Sequence, residues 1–395
     1  MIRHLVILIL CLSLSPQLLV ARTFTNIKGQ KIEATVQSVE AHQVKLLLDQ
    51  NGKSYHVPLT SLSPADREYI QAWHETSKKG RDADTQAAAK QNFDAPWPKL
   101  VSIDIDIEIE IVEESKESKR FVYHSPNYAF ICDVGLSKNV VKKFAVLFEA
   151  TRDYCRLLPI SSMKAHVPGA QFRHKILLFE SKSAYVQNGG PPSSAGVFIS
   201  RGGKGVIMAP LTSLGLKKVG SSYMYDYKGS NETLPHELTH QLTDNAYFQV
   251  GARGWFSEGL AEYVASTPYR SGKFMVRSNL SAIKAYATGY GKKGKGGRAL
   301  GTAFNAPNLK DYMLQPYNQF TANANFNYGL GMLLTYYFFH MEDDRSNITS
   351  FLKALKEGKK GEVALQVLLN GRSWDELEKQ ITKAWRSRGV RITFQ

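Results

Sequence analysis

Cysteine is scarce in this chain, with three in 395 residues. Cys11 falls in an N-terminal apolar run, so beyond that run only Cys132 and Cys155 remain. One bridge is the most they can form, which excludes a disulfide-stapled scaffold. They can pair in an oxidising compartment or stay as buried thiols that behave as small apolar side chains, and both readings stand. Long hydrophobic runs are missing too. The apolar stretch from Leu5 to Leu14 is shorter than the roughly 20 residues a membrane-spanning helix needs, and no later segment is apolar and long enough to span, so no transmembrane segment is expected in the mature chain. Acidic residues are in deficit, 35 against 50 Lys and Arg, for a formal charge of +15. That surplus is spread thinly and no nucleic-acid motif accompanies it, which argues against a specific nucleic-acid partner and for a solvated basic surface. No internal repeat is evident. What is present, 43% hydrophobic and 11% aromatic residues, is the composition of a globular protein with room for more than one domain.

The N-terminus has the layout of an export signal. Arg3 and His4 precede the apolar run, and Leu19-Val20-Ala21 offers a cleavage site that leaves Arg22 first. Leu10 before Cys11 does not suit a lipoprotein signal. Residues 1–21 are therefore read as a signal peptide, and the mature protein as exported to periplasm, envelope or medium.

Residues 22–73 read as a small β module. Lys31–Val36, Val44–Leu48 and Ser54–Leu59 are strand-like, Asp49-Gln50-Asn51-Gly52 is a turn, and Ser63 with Pro64 opens a short helix. This stretch resembles the SLA-type homology domain, in its Arg22-Thr23-Phe24-Thr25 opening, its Gly29 turn, its Val57-Pro58-Leu59 strand and its Leu62-Ser63 helix entry. The resemblance implies an SH3-like barrel with a binding or positioning role toward a protein or envelope partner, and a purely stabilising appendage is the equal alternative. Residues 74–97, polar and Ala-rich with Trp97 between Pro96 and Pro98, read as a linker.

From residue 98 onward the pattern is sheet first, helices after. Ile103 to Ile111 alternates strictly with acids, which predicts a strand with one isoleucine face and one solvated carboxylate face. Lys138 to Leu158 has helical periodicity ended by Pro159. Lys175–Phe179 is a buried-type strand, and Gly196–Ser200 with Gly205–Ala209 form a hairpin. Gly289 to Gly296 approaches a phosphate loop but lacks its Ser or Thr, so it reads as a basic loop. Helices are predicted at Tyr328–Met341, Asn347–Glu357, Gly361–Leu369 and Ser373–Arg386, the last with a Ser373/Glu376 capping box, and Gly358, Gly371 and Gly389 act as stops.

The chemistry concentrates in His236-Glu237-Leu238-Thr239-His240. On a helix, positions four apart share a face, so His236 and His240 can offer two imidazoles to one Zn²⁺, with Glu237 placed to take a proton from the attacking water. In Gly254-Trp255-Phe256-Ser257-Glu258-Gly259-Leu260-Ala261-Glu262-Tyr263, Glu258 and Glu262 are again four apart. Together the two segments resemble the gluzincin zinc peptidases. That resemblance implies a zincin-like α+β catalytic domain, a mixed sheet followed by helices, over residues 98–395. It implies one Zn²⁺ per chain on His236, His240 and Glu258, with Glu262 orienting a zinc histidine and a peptide or protein as substrate. A tyrosine donor to the oxyanion is expected from the same likeness, Tyr328 first and Tyr269 as the alternative. An edge strand for an extended substrate is expected at Val206, Ile207, Met208 and Ala209. Seventeen residues separate His240 from Glu258, one fewer than is usual in the aminopeptidase branch, which places the chain outside it. The competing reading is a peptidase-like binding protein without hydrolytic activity.

Overall fold

The computed structural model describes residues 22–39, 42–48, 54–75, 91–167, 172–201, 204–220, 222–225, 233–289 and 297–395. The export signal, the Asp49–Gly52 turn and nearly all of the basic Gly289–Gly296 loop lie outside them. Two compact units divide the chain, Met1–Ala89 and Lys90–Gln395.

In the first unit β1 (Arg22–Thr25), β2 (Lys31–Val39), β3 (Gln43–Leu48) and β4 (Ser54–Pro58) form an antiparallel sheet in sequence order. Alternate residues Ala34 and Val36 on β2 and Val44 and Leu46 on β3 face inward with Phe24, Leu62 and Ile70. Residues 64–75 form helix α1. Ser63 caps it by accepting from Asp66 N–H, with Pro64 in the first turn. The buried Asp66 carboxylate accepts from Thr25 N–H at 2.7 Å and pairs with Arg22 at 2.8 Å, tying helix to sheet. Among the described residues β1 and β4 are not paired with each other, and the sheet is a four-stranded meander.

The second unit is α+β, with two cores. Its sheet runs β10-β11-β9-β8-β7-β6, made of β6 (Glu110–Ser115), β7 (Arg120–His124), β8 (Tyr128–Cys132), β9 (His174–Phe179), β10 (Val197–Arg201) and β11 (Lys204–Pro210). The β11–β9 and β9–β8 pairs are parallel and the others antiparallel. Two helices share the sheet core. α2 (Lys138–Leu157) contributes Val141, Phe144 and Phe148, and α5 (Thr233–Leu242) contributes Leu234 and Leu238.

The second core is helical. It contains α6 (Trp255–Ser266), α10 (Ala324–His340), α11 (Ser346–Lys356), α12 (Gly361–Leu369) and α13 (Trp374–Arg386). α2 straddles both cores, because Leu147, Ala150 and Tyr154 face the helical one. The remaining helices are the short α3 (Met163–His166), α4 (Lys182–Gln187), α8 (Leu309–Leu314) and α9 (Tyr317–Ala322), with α7 (Leu280–Thr288). Small pairings join β5 (Val101–Ser102) to β15 (Lys273–Phe274), β15 to β14 (Tyr269–Arg270), β12 (Leu216–Val219) to β13 (Ser222–Tyr225), and β16 (Ala303–Ala306) to β17 (Arg391–Phe394). The Ser373/Glu376 capping box forms as expected, and Gly358, Gly371 and Gly389 all have positive φ. No helix among the described residues is long and apolar enough to cross a membrane.

One expectation is corrected, and two open points are filled in. The alternating stretch is not one strand, since only Val101–Ser102 and residues from Glu110 onward pair. An Asp104 side chain accepting from Asp106 N–H at 2.8 Å bends the chain between them. The isoleucines divide between two cores, Ile103 against the helical one and Ile107 and Ile109 against the sheet, while Ile105 is exposed. Residues 91–97 belong to the second unit. Asn92 caps the carbonyls of Arg156 and Leu158, and the Trp97 ring lies 4.4 Å from Phe339. The two cysteines are free and buried in different clusters, and burial pushes the Cys155 thiol up to about 12.

Candidate metal centre

The centre lies where the two cores meet. α5 turns Leu234 and Leu238 to the sheet core, which leaves His236 and His240 toward α6 and Glu237 against β10. Pro235 falls in the first turn, where its missing N–H costs nothing. In α6 the Trp-Phe-Ser-Glu-Gly block is used position by position. Trp255 and Phe256 fill the helical core. Ser257 Oγ accepts from Gly254 N–H at 3.0 Å and caps the helix. Glu258 faces the histidines. Gly259 permits contact with α10, since a Cβ there would collide with the Gly331 carbonyl oxygen. Gly331 reciprocates, because its Cβ would meet the Trp255 oxygen at 2.7 Å. Two facing glycines thus fix α6 at backbone contact with a helix that is almost wholly buried.

The resulting geometry is compact. His236 Nε2 and His240 Nε2 are 3.1 Å apart, His240 Nε2 is 3.1 Å from Glu258 Oε2, and His236 Nε2 is 3.3 Å from the same oxygen. Tetrahedral bonds of about 2.0–2.1 Å to zinc place neighbouring donor atoms about 3.3 Å apart, so these three atoms already have the spacing of a shared cation. Glu262 Oε1 lies 2.9 Å from His236 Nδ1, so Nδ1–H donates to it and, in the neutral ring that a metal requires, the Nε2 lone pair points inward.

No family model, curated protein or solved structure matches the chain.

The donor chemistry alone therefore tests the fit. Glu237, Glu258 and Glu262 bring three carboxylates to one place, and Arg298, bonded to Glu262 at 3.0 and 2.5 Å, brings one guanidinium. Two negative charges are left over, matching one divalent cation. Without a cation, protons take up part of that surplus. Burial alone would lower His236, but its bonds to Glu258 and Glu262 outweigh burial and raise it to about 10. Burial would raise Glu258, but His240 and His236 hold it well below the usual carboxylate range. Burial raises Glu237, the direction a proton acceptor near neutrality needs. Residues His236, His240 and Glu258 are thus brought together as the sequence predicts, and Glu237 and Glu262 flank them.

Other expectations fare differently. Tyr328, at the first turns of α10, stacks on His236 with ring centroids 6.0 Å apart and 15° between planes. Tyr269 is committed elsewhere, since its hydroxyl accepts from Gly272 N–H and its ring packs on Phe274. Val206, Ile207, Met208 and Ala209 do not form the edge. β11 lies between β10 and β9, because the hairpin turns β10 outward. The edge strand is β10, and its Phe198 N–H donates to Glu237 Oε2 at 2.7 Å.

Sequence reasoning missed Tyr317 and Arg298. Tyr317 donates its hydroxyl to Glu258 Oε1 at 2.9 Å. Each residue reaches the site from 36 or more positions away in a segment without periodicity, so spacing carried no signal for either.

Proposed function

We propose that this chain is an exported zinc-dependent peptidase of gluzincin type, with a zincin-like catalytic domain behind an SH3-like module that docks a protein or envelope partner. The observation that carries the reading is the convergence of His236 Nε2, His240 Nε2 and Glu258 Oε2 within 3.3 Å of one another, beside Glu237. Bound zinc would supply a Lewis acid that polarises the scissile carbonyl and acidifies water.

The chain's own residues do the rest. Glu237 accepts the proton of the attacking water and later delivers it to the leaving amine. Its Oε2 is anchored by Phe198 N–H, which leaves Oε1 for the water. Tyr317 occupies Glu258 Oε1 and so presents Oε2 to the histidines. Burial and the charge of Glu258 hold the Tyr328 hydroxyl protonated far above neutrality, as a hydrogen-bond donor to the oxyanion must be. The edge strand β10 offers its outward backbone to an extended peptide.

The test is zinc content together with cleavage of casein or mixed peptides, for wild type and Glu237→Gln. About one zinc per chain in both, with cleavage in wild type alone, is expected. Zinc without cleavage would reduce the protein to a metal-holding binding protein, and no zinc in either would remove the metal reading.

A further inference from the structure

Arg298 carries no motif and lies 36 positions beyond Glu262, yet it closes the polar network around His236. Its Nε donates to Glu262 Oε2 at 3.0 Å and its Nη2 to Oε1 at 2.5 Å. The same Oε1 accepts from His236 Nδ1. This fork fixes the carboxylate plane in a way that a single contact cannot.

The approach is built from several sides. Arg298 N–H donates to the Tyr286 carbonyl at 2.7 Å, and Asn325 Nδ2 donates to the Arg298 carbonyl at 2.6 Å. The guanidinium lies over the Tyr328 ring at 5.0 Å. On α10, Gly329 leaves room for the segment, since a Cβ there would meet Arg298 Cβ at 2.9 Å and a Leu300 methyl at 2.8 Å. A side chain at this position would fill that space, so the glycine lets the arginine reach Glu262. Glu262 is 2% exposed. A carboxylate at that depth needs a cationic partner to stay ionised and oriented.

We propose that Arg298 is a positioning residue of the metal centre, acting through Glu262 to hold His236 with its Nε2 lone pair aimed at the site shared with His240 and Glu258. The inference rests on the metal reading above but concerns affinity, not turnover. The experiment measures zinc dissociation constants by competition with a chromophoric chelator at fixed pH. Wild type, Arg298→Met, Arg298→Lys, Glu262→Gln and the Arg298→Met/Glu262→Gln double variant are compared, each checked for folding by thermal unfolding of the metal-free protein.

Removing a group that orients a metal ligand typically weakens binding about 10- to 100-fold, and that range is expected for Arg298→Met. Arg298→Lys, with the charge but not the fork, should fall between it and wild type. In the Glu262→Gln background the further loss should be small, because the arginine acts through Glu262. Wild-type affinity in Arg298→Met overturns the proposal, as does full additivity in the double variant. If Arg298→Met does not fold, Arg298→Lys is decisive, and wild-type affinity in it overturns the proposal. Absence of zinc from wild type overturns the metal reading itself, which separates the two failures.

Discussion

The two cores of the larger unit contribute unequally to the site between them. The sheet core supplies, through α5, the two imidazoles and the carboxylate that would move a proton, and through β10 a single N–H. The helical core supplies the third donor and nearly everything that holds donors in place, namely Glu262, Arg298, Tyr317 and the glycine contact between α6 and α10. Two of the three donors and Glu237 thus stand on one core, and Glu258 with the supporting groups on the other. A cation on His236, His240 and Glu258 would cross-link the two, so metal, stability and activity should be coupled across the seam.

The largest effect expected breaks the seam from the sheet side. His240→Ala removes a donor outright and should weaken zinc by about a thousand-fold, beyond the ~10–100-fold of a supporting residue. A ligand at 100 times its dissociation constant stabilises the folded state by about 2.7 kcal/mol. A chelator should therefore lower the melting temperature of wild type and leave His240→Ala unmoved. An equal chelator response in both would mean that no cation bridges the cores.

Acid offers a probe of each core separately. Burial lowers His174 on β9 and His340 at the end of α10 to about 4 each. In the unfolded chain each takes up a proton near pH 6.5, whereas in the folded chain it does so only near pH 4. The unfolded state therefore binds more protons across this window, and stability falls as pH drops from about 6.5 to 4, by up to about 3 kcal/mol per histidine. Urea unfolding of metal-free protein should show that loss. His174→Gln should remove the share of the sheet core and His340→Gln that of the helical core. A stability flat from pH 7 to 4 would contradict both burial assignments.

Much of this contrast was legible in the sequence, and the part that was not has a physical cause. The spacing of four that sets His236 beside His240 and Glu258 beside Glu262 is enforced within one helix, so it survives any tertiary arrangement. Helix ends are likewise local. Gly361–Leu369 and the Ser373/Glu376 cap appear where propensity and capping place them. The strand at Ile103–Ile111 misled because alternation records only which side chains avoid water, and here two different cores take them. Strand order is not local either, and nothing in Val206–Ala209 reveals that β10 folds outside it. Tyr317 and Arg298 reach Glu258 and Glu262 only through the tertiary fold, which no local pattern records.

The contact between α6 and α10 can be loosened at one atom. Gly259→Ala drives a methyl into the Gly331 oxygen, where only backbone movement can relieve the clash. Overpacking of this kind costs roughly 1–3 kcal/mol. Because the helix that must shift carries Glu258 and Glu262, zinc affinity should fall together with the melting temperature. A stable Gly259→Ala protein with unchanged zinc binding would show that α6 is not held by this contact.

The smallest effect is the sharpest comparison of donor with support. Tyr317→Phe keeps the ring, which stacks beside Phe320 and under Arg253, and deletes only the hydroxyl bonded to Glu258 Oε1. A hydrogen bond to a charged group contributes about 1.5–3 kcal/mol, and solvent or a second contact to the cation recovers part of that. A loss of about 1 kcal/mol in zinc binding, or roughly five-fold, is therefore expected from the same chelator competition, with stability of the metal-free protein nearly unchanged. If Glu258 instead turns both oxygens to the metal once the tyrosine is gone, affinity will rise. Tyr317 would then be enforcing one-oxygen ligation at a cost in binding, which keeps a coordination position open for substrate.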